Sequence, residues 1–241
     1  LPELSGRGSS EGANSGCREE VLDHSVRAVF NSPFRLRVRL AALFHDVDRL
    51  NRCEPGLEPP REQTRFSKSA LTAGAIMQRF RASRILEREV AFLLENQVPD
   101  AIEGWSDSEV RRFIARVGGD MVQDVLDLAH ADRMAGKECS GSMKALEKFR
   151  CRISEELNGK PPIGIQDLAI DGQDVMRILN LRPGPAVGQA LRRLHRRVLE
   201  DPNENQPKNL MDFLVKEYHM NFQSMTEQRV ISGEKENDDA G

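Results

Sequence analysis

The chain is poor in the residues that build sheets, disulfide frameworks and membrane spans. Aromatics make up 5% of its 241 residues, with a single Trp and a single Tyr, and β-branched residues are sparse, which argues against a sandwich or barrel. The four cysteines (Cys17, Cys53, Cys139, Cys151) are scattered. None has the close spacing of a zinc site, and their number excludes a disulfide scaffold, so a reducing compartment and a cytoplasmic location are expected. No apolar run approaches the roughly 20 residues that cross a bilayer, and there is no signal-peptide pattern. Net charge is only −3, so bulk charge does not announce a nucleic-acid partner. Ala, Leu, Arg and Glu are abundant, and 27 of the 35 cations are Arg. This composition favours an all-α fold, and it supplies the planar fork that binds phosphate bidentately.

Apolar spacing divides the chain. Residues 1–17 open on Leu and are Gly/Ser-rich, reading as a disordered leader or as the cut edge of a longer polypeptide. Helical periodicity starts at Arg18, with stripes Val21-Leu22-Val26-Val29 and Leu36-Leu40-Leu43-Phe44. A Pro/Gly-containing loop is expected over 51–64, then helices near 67–81 and 85–96. Ser106 stands three residues before Glu109, a capping-box spacing that starts a helix running to Val117. Gly118-Gly119 precedes a helix over 120–134, and a further helix is expected over 142–157. Asn158–Pro162 is the best domain boundary, giving a helical domain over 18–158 and a smaller helical tail over 163–222. Within the tail, helices are expected over 172–181, 185–199 and 207–218. Residues 223–241 read as a flexible acidic end.

Within the first domain, His45-Asp46 follows the apolar run Leu40–Phe44. Polar groups at the end of a core helix need partners, because burying them unsatisfied costs several kcal/mol. His24 upstream and Asp132 downstream complete an H…HD…D set. Two imidazoles and two carboxylates suit a divalent metal (Mg, Mn, Ni, Zn or Fe) rather than a thiolate site. Helices of a bundle can project such ligands into one place, and the bound ion could activate water against a phosphoester. His130, two residues from Asp132, is expected to face elsewhere. His195 and His219 have no metal-like partners.

Ala41–Asp46 resembles the helix of HD-superfamily phosphohydrolases. The resemblance implies metal ligands at His24, His45, Asp46 and Asp132, with Asp46 and Arg49 in catalytic roles, Arg49 meeting the phosphate. In that family HD is commonly followed by a small residue, Gly and Lys; here the continuation is Val47-Asp48-Arg49. Ser69 and Glu95-Asn96-Gln97 stand where active relatives often place further histidines.

The tail narrows the family. Asp171–Met176, Leu179–Gly188, Leu191 and Val198–Pro202, together with Trp105–Gly118 and Leu128–Arg133, resemble the body and tail of the bacterial CCA-adding tRNA nucleotidyltransferase and poly(A) polymerase family, over about residues 21–215. The resemblance implies an HD-type domain plus a tail that grips tRNA or another structured RNA by shape and backbone. In the expected helix 185–199, Leu191, Leu194 and Val198 share one face, and Arg192, Arg193, Arg196 and Arg197 occupy the others as RNA contacts. Polymerisation in that family belongs to a separate head with a Gly-Ser loop and paired carboxylates. Asp46-Val-Asp48 follows a helix and has no such loop, so it is not that site. The expected function is therefore the RNA-binding C-terminal portion of such an enzyme, working with a nucleotidyltransferase head. The alternative is a metal-dependent HD phosphohydrolase acting on nucleotide or RNA phosphoesters.

Overall fold

The computed structural model describes residues 14–50, 62–99, 101–136, 140–159 and 161–218. The expected acidic end (223–241), His219, nearly all of the 51–64 loop and most of the expected leader lie outside these residues. Among the described residues there are helices and no strands, so the chain is all-α. The helices are α1 (Asn14–Asn31), α2 (Leu36–Phe44), α3 (Val47–Leu50), α4 (Glu62–Arg79), α5 (Arg84–Glu95), α6 (Asp107–Val117), α7 (Gly119–Ala135), α8 (Ser140–Asn158), α9 (Gly172–Leu179), α10 (Pro185–Glu200) and α11 (207–218). None of them is long and apolar enough to cross a membrane. The chain divides into two compact units. One holds residues up to Trp105 with Arg116–Glu155; the other holds Ser106–Ala115 with Glu156 onward.

In the first unit α2 is central, packing on α1, α5 and α7, while α1 also lies along α7. The face of α2 that makes these contacts is small: Val38, Ala41 and Ala42 are fully buried, with Phe44 close behind. Leu36, expected in the buried stripe, is 61% exposed. Leu40 and Leu43 are only half-buried. The spacing Val38-Ala41-Ala42-His45 is i, i+3, i+4, i+7, so the true stripe has helical period but a different phase. Small residues win because α2 is crossed on several sides at short range. Similarly, α1 buries Val21, Ser25 and Ala28, while Val26 is 40% exposed. A charged lattice ties the periphery of the unit. Asp124, on α7, is buried and receives Arg35 at 2.7 Å as well as Arg37, which also reaches Glu89 at 3.1 Å. Buried carboxylates are tolerable only with such pairing.

The second unit is built around α10. Val187, Ala190, Leu194 and Val198 on α10 pack with Ile170, Val175, Leu210 and Leu214 as one core. Local signals start each helix. Asp171 accepts from the backbone N–H of Gln173 and Asp174 at 2.8 and 3.0 Å, and Asp174 returns a bond to the Asp171 N–H at 3.2 Å. This capping box satisfies otherwise orphaned donors. Ser106 and Glu109 form the expected box on α6, at 3.3 and 2.6 Å. α9 stops at Leu179 rather than at 181 because Asn180 adopts φ +51°, a left-handed C-cap that Asn tolerates. At the far end of α10, Arg111 donates its Nε to the Leu199 carbonyl and a terminal nitrogen to the Glu200 carbonyl, both at 2.8 Å. Its remaining nitrogen meets Glu156 at 3.0 Å. A buried guanidinium thus caps the helix through its last carbonyls.

Candidate functional site

The face of α2 that carries Val38, Ala41 and Ala42 continues into His45, which is 2% exposed. The His45 Nδ1–H donates to the Ala42 carbonyl at 2.8 Å, which turns Nε2 away from its own helix. The close α1–α7 packing brings His24 and Asp132 to meet it. His24 Nε2 lies 2.9 Å from Asp132 Oδ1 and 3.1 Å from His45 Nε2, and His45 Nε2 is 3.2 Å from the same Asp132 oxygen. Asp46 Oδ2 is 3.8 Å from His45 Nε2 and accepts from Arg49 at 2.7 Å. Residues separated by more than a hundred positions therefore converge on one point.

The electrostatics follow from this geometry. Burial is the largest influence on His45 and pushes its imidazolium down. The hydrogen bond and charge of Asp132, with the charge of Asp46, together outweigh burial and hold His45 above its ordinary value. Burial would raise the Asp132 carboxyl, but hydrogen bonds from His24 and His45, with their charge, keep it well below the usual carboxylate range. Two ring nitrogens at contact distance over one carboxylate oxygen need either a ring N–H or a metal ion between them. His24, His45 and Asp46 each offer one ligand atom within 4.8 Å of the others, a group able to hold a metal. The orienting Ala42 carbonyl is the outer partner that a metal-binding imidazole ordinarily has. The donor set fits a divalent ion.

Asn96 and Gln97 turn their amides back onto the Phe92 and Leu94 carbonyls at 2.9 and 3.0 Å, closing the end of α5. Ser69 is fully buried. His130 is half-buried, and His195 contacts the Ile163 carbonyl at 2.6 Å through its Nε2.

In the second unit, α10 keeps Leu194 and Val198 buried and Leu191 half-buried, and turns the four arginines outward. They are not equivalent. Arg193 pairs with Glu217 at 3.4 Å and Arg197 with Glu204 at 3.1 Å. Arg192 and Arg196 are exposed and have no ionic or hydrogen-bonding partner among the described residues. Sequence reading missed Arg111, whose partners lie 45 to 89 positions away, and the Arg35–Arg37–Asp124 lattice. No short-range signal marks either.

Comparison with known proteins sets these sites in a family. Residues 72–214 match the family described as tRNA nucleotidyltransferase domain 2. The A-adding tRNA nucleotidyltransferase of Deinococcus radiodurans is 28% identical over 210 residues, covering 80% of this chain and 46% of the relative. The CC-adding tRNA nucleotidyltransferase of Thermus thermophilus is 31% identical over 179 residues, covering 71% of this chain and 39% of the relative. The chain thus spans less than half the length of the curated relatives it matches. No solved structure matches it. With the matched segment running from α4 to α11 through both units, this chain belongs to the tRNA nucleotidyltransferase domain 2 family.

Proposed function

We propose that this chain is an RNA-holding body of a tRNA nucleotidyltransferase, gripping tRNA by its backbone for a head domain that adds nucleotides. Family membership supports the class of reaction, since both relatives are named for adding nucleotides to tRNA. The observation that carries the role of this chain is α10, whose inner face is core and whose outer face presents the uncommitted cations Arg192 and Arg196. Arginines so placed meet phosphates without displacing an existing partner, and backbone contact suits an A-form helix, whose base edges are poorly accessible. A cytoplasmic location goes with this reading. The test is binding of a tRNA transcript beside a DNA duplex of matched charge. Preference for tRNA is expected; equal affinity for both would remove the tRNA assignment.

The convergence of His24, His45 and Asp132 favours a second role for the first unit, a divalent-metal site with Asp46 as a further ligand and Arg49 positioned beside Asp46 to meet a phosphate. Two imidazoles incline such a site toward Zn, Ni or Fe over Mg or Mn. In this reading a bound ion would polarise a phosphoryl oxygen or activate water. Metal analysis of the purified chain beside His45→Ala and Asp46→Ala decides the point, and equal metal content in all three would end it.

A further inference from the structure

The second unit contains a cavity of about 330 Å³ at the C-terminal half of α10, closed on one side by α11. That volume falls within the range of small-molecule sites. One wall is the Arg197 guanidinium, itself planar, which lies over the Phe213 ring at 4.8 Å from its centroid. The plane is held in place, because Arg197 Nε and a terminal nitrogen both bond the same Glu204 oxygen, at 3.2 and 3.1 Å.

Three of the four lining carboxylates are paired with arginines, and the fourth, Asp201, is hydrogen-bonded to a neutral residue and keeps its charge. Glu204 is taken by Arg197 and Glu217 by Arg193. Glu200 accepts from Arg112 at 2.5 Å. Asp201 accepts from the backbone and side-chain nitrogens of Asn203, both at 3.0 Å. Arg196 is left as the one lining cation with no partner among the described residues. A fixed guanidinium plane beside Arg196 suits a flat ring that carries a negative group able to compete with Asp201 for Arg196. An acidic peptide would meet these carboxylates with too few free cations. A bare phosphate would leave the planar wall unused.

Resting on the RNA reading above, we infer that this cavity takes one unstacked nucleotide of the bound RNA, its base on the Arg197–Phe213 stack and its phosphate at Arg196. Splayed bases are recognised on aromatic rings and guanidinium planes in this way. The site would add recognition of an unpaired position to a grip that otherwise reads only shape and charge.

The experiment uses tRNA transcripts in which unpaired nucleotides are replaced one at a time by an abasic residue. Each is bound to the wild-type chain, Phe213→Leu, Phe213→Tyr and Arg197→Lys at fixed salt. At one position the abasic change is expected to weaken wild-type binding about tenfold, the scale of one stacked base. The same change should cost under about twofold in Phe213→Leu and Arg197→Lys, which lose the plane but keep bulk or charge, and Phe213→Tyr should behave as wild type. Wild-type tRNA binding that is insensitive to every abasic change, or sensitive to the same extent in all variants, overturns the cavity assignment and leaves the RNA reading standing. Absence of tRNA binding by the wild type overturns both. Titration with free AMP and CMP separates the sources: saturable binding of the mononucleotide without any abasic effect would make this a free-nucleotide site and overturn the RNA form.

Discussion

Loss of the Arg111 guanidinium should be felt strongly for a small change in volume. Arg111 is 9% exposed, and its guanidinium satisfies the last two carbonyls of α10 as well as Glu156. Arg111→Met keeps the apolar stem, which is itself packed, and removes all three bonds. A hydrogen bond from a charged donor contributes roughly 1.5–3 kcal/mol. Glu200 is exposed, so water can reach its carbonyl and part of that loss is recovered. The Leu199 carbonyl, on a buried residue, is the one left short. A net destabilisation of about 3 kcal/mol follows, equivalent to a fall in Tm of roughly 6–12 °C for a chain of this size. Urea unfolding measures the first figure and calorimetry the second. Arg111→Lys should recover little, since a point charge cannot reach two successive carbonyls and a carboxylate together. Amide exchange over residues 196–200 should accelerate in both variants. If Arg111→Met costs under about 0.5 kcal/mol, an ordinary surface value, the capping role is wrong.

Further outcomes follow from single contacts. Asp132 sits below the usual carboxylate range in the folded chain and His45 above its ordinary value. The aspartate's contribution is therefore present above about pH 4 and lost as pH falls through its folded value, while the histidine's is present below about pH 6.5 and lost as pH rises past its folded value. Asp132→Asn should thus be less stable than wild type by the widest margin between those limits, with the margin narrowing on either side in a pH series of urea midpoints; a constant margin would contradict the pairing. Metal taken up at this site should be released on acidification, because His45 must lose its proton to bind; equilibrium dialysis against pH reads this. Asn180→Val puts a β-branched residue at φ +51° and should cost about 1–2 kcal/mol, whereas Asn180→Gly should be neutral or slightly stabilising in the same denaturation assay.

Legibility from sequence tracked the range of the interaction. Helix starts at Ser106 and Asp171 were readable because their signals lie within three residues of the donors they satisfy, and the start at Pro185 because a proline with no N–H suits the first helical position. The phase of α2 was not. Choosing the large aliphatics as the buried set places Leu36 inward, yet closeness of the crossing helices selects Val38, Ala41 and Ala42 instead. Followed one step further, the same small-residue spacing reaches His45, so the pattern held the information once packing distance was considered. The ordered set His24, His45, Asp46, Asp132 came from residue chemistry and family resemblance, and its convergence needed the fold. The arginine face of α10 was legible as a face. Its division into engaged (Arg193, Arg197) and uncommitted (Arg192, Arg196) cations depends on Glu217 and Glu204, which only tertiary packing brings near.

That division makes the salt dependence of tRNA binding the most direct test of the RNA-holding role. Each phosphate contact contributes close to one unit to the slope of log affinity against log salt. Arg192→Gln with Arg196→Gln should lower the slope by about 2 units, while Arg193→Gln with Arg197→Gln, which first break ion pairs within the unit, should lower it by less than about 1. An identical slope in the wild type and the Arg192/Arg196 double variant would contradict the account.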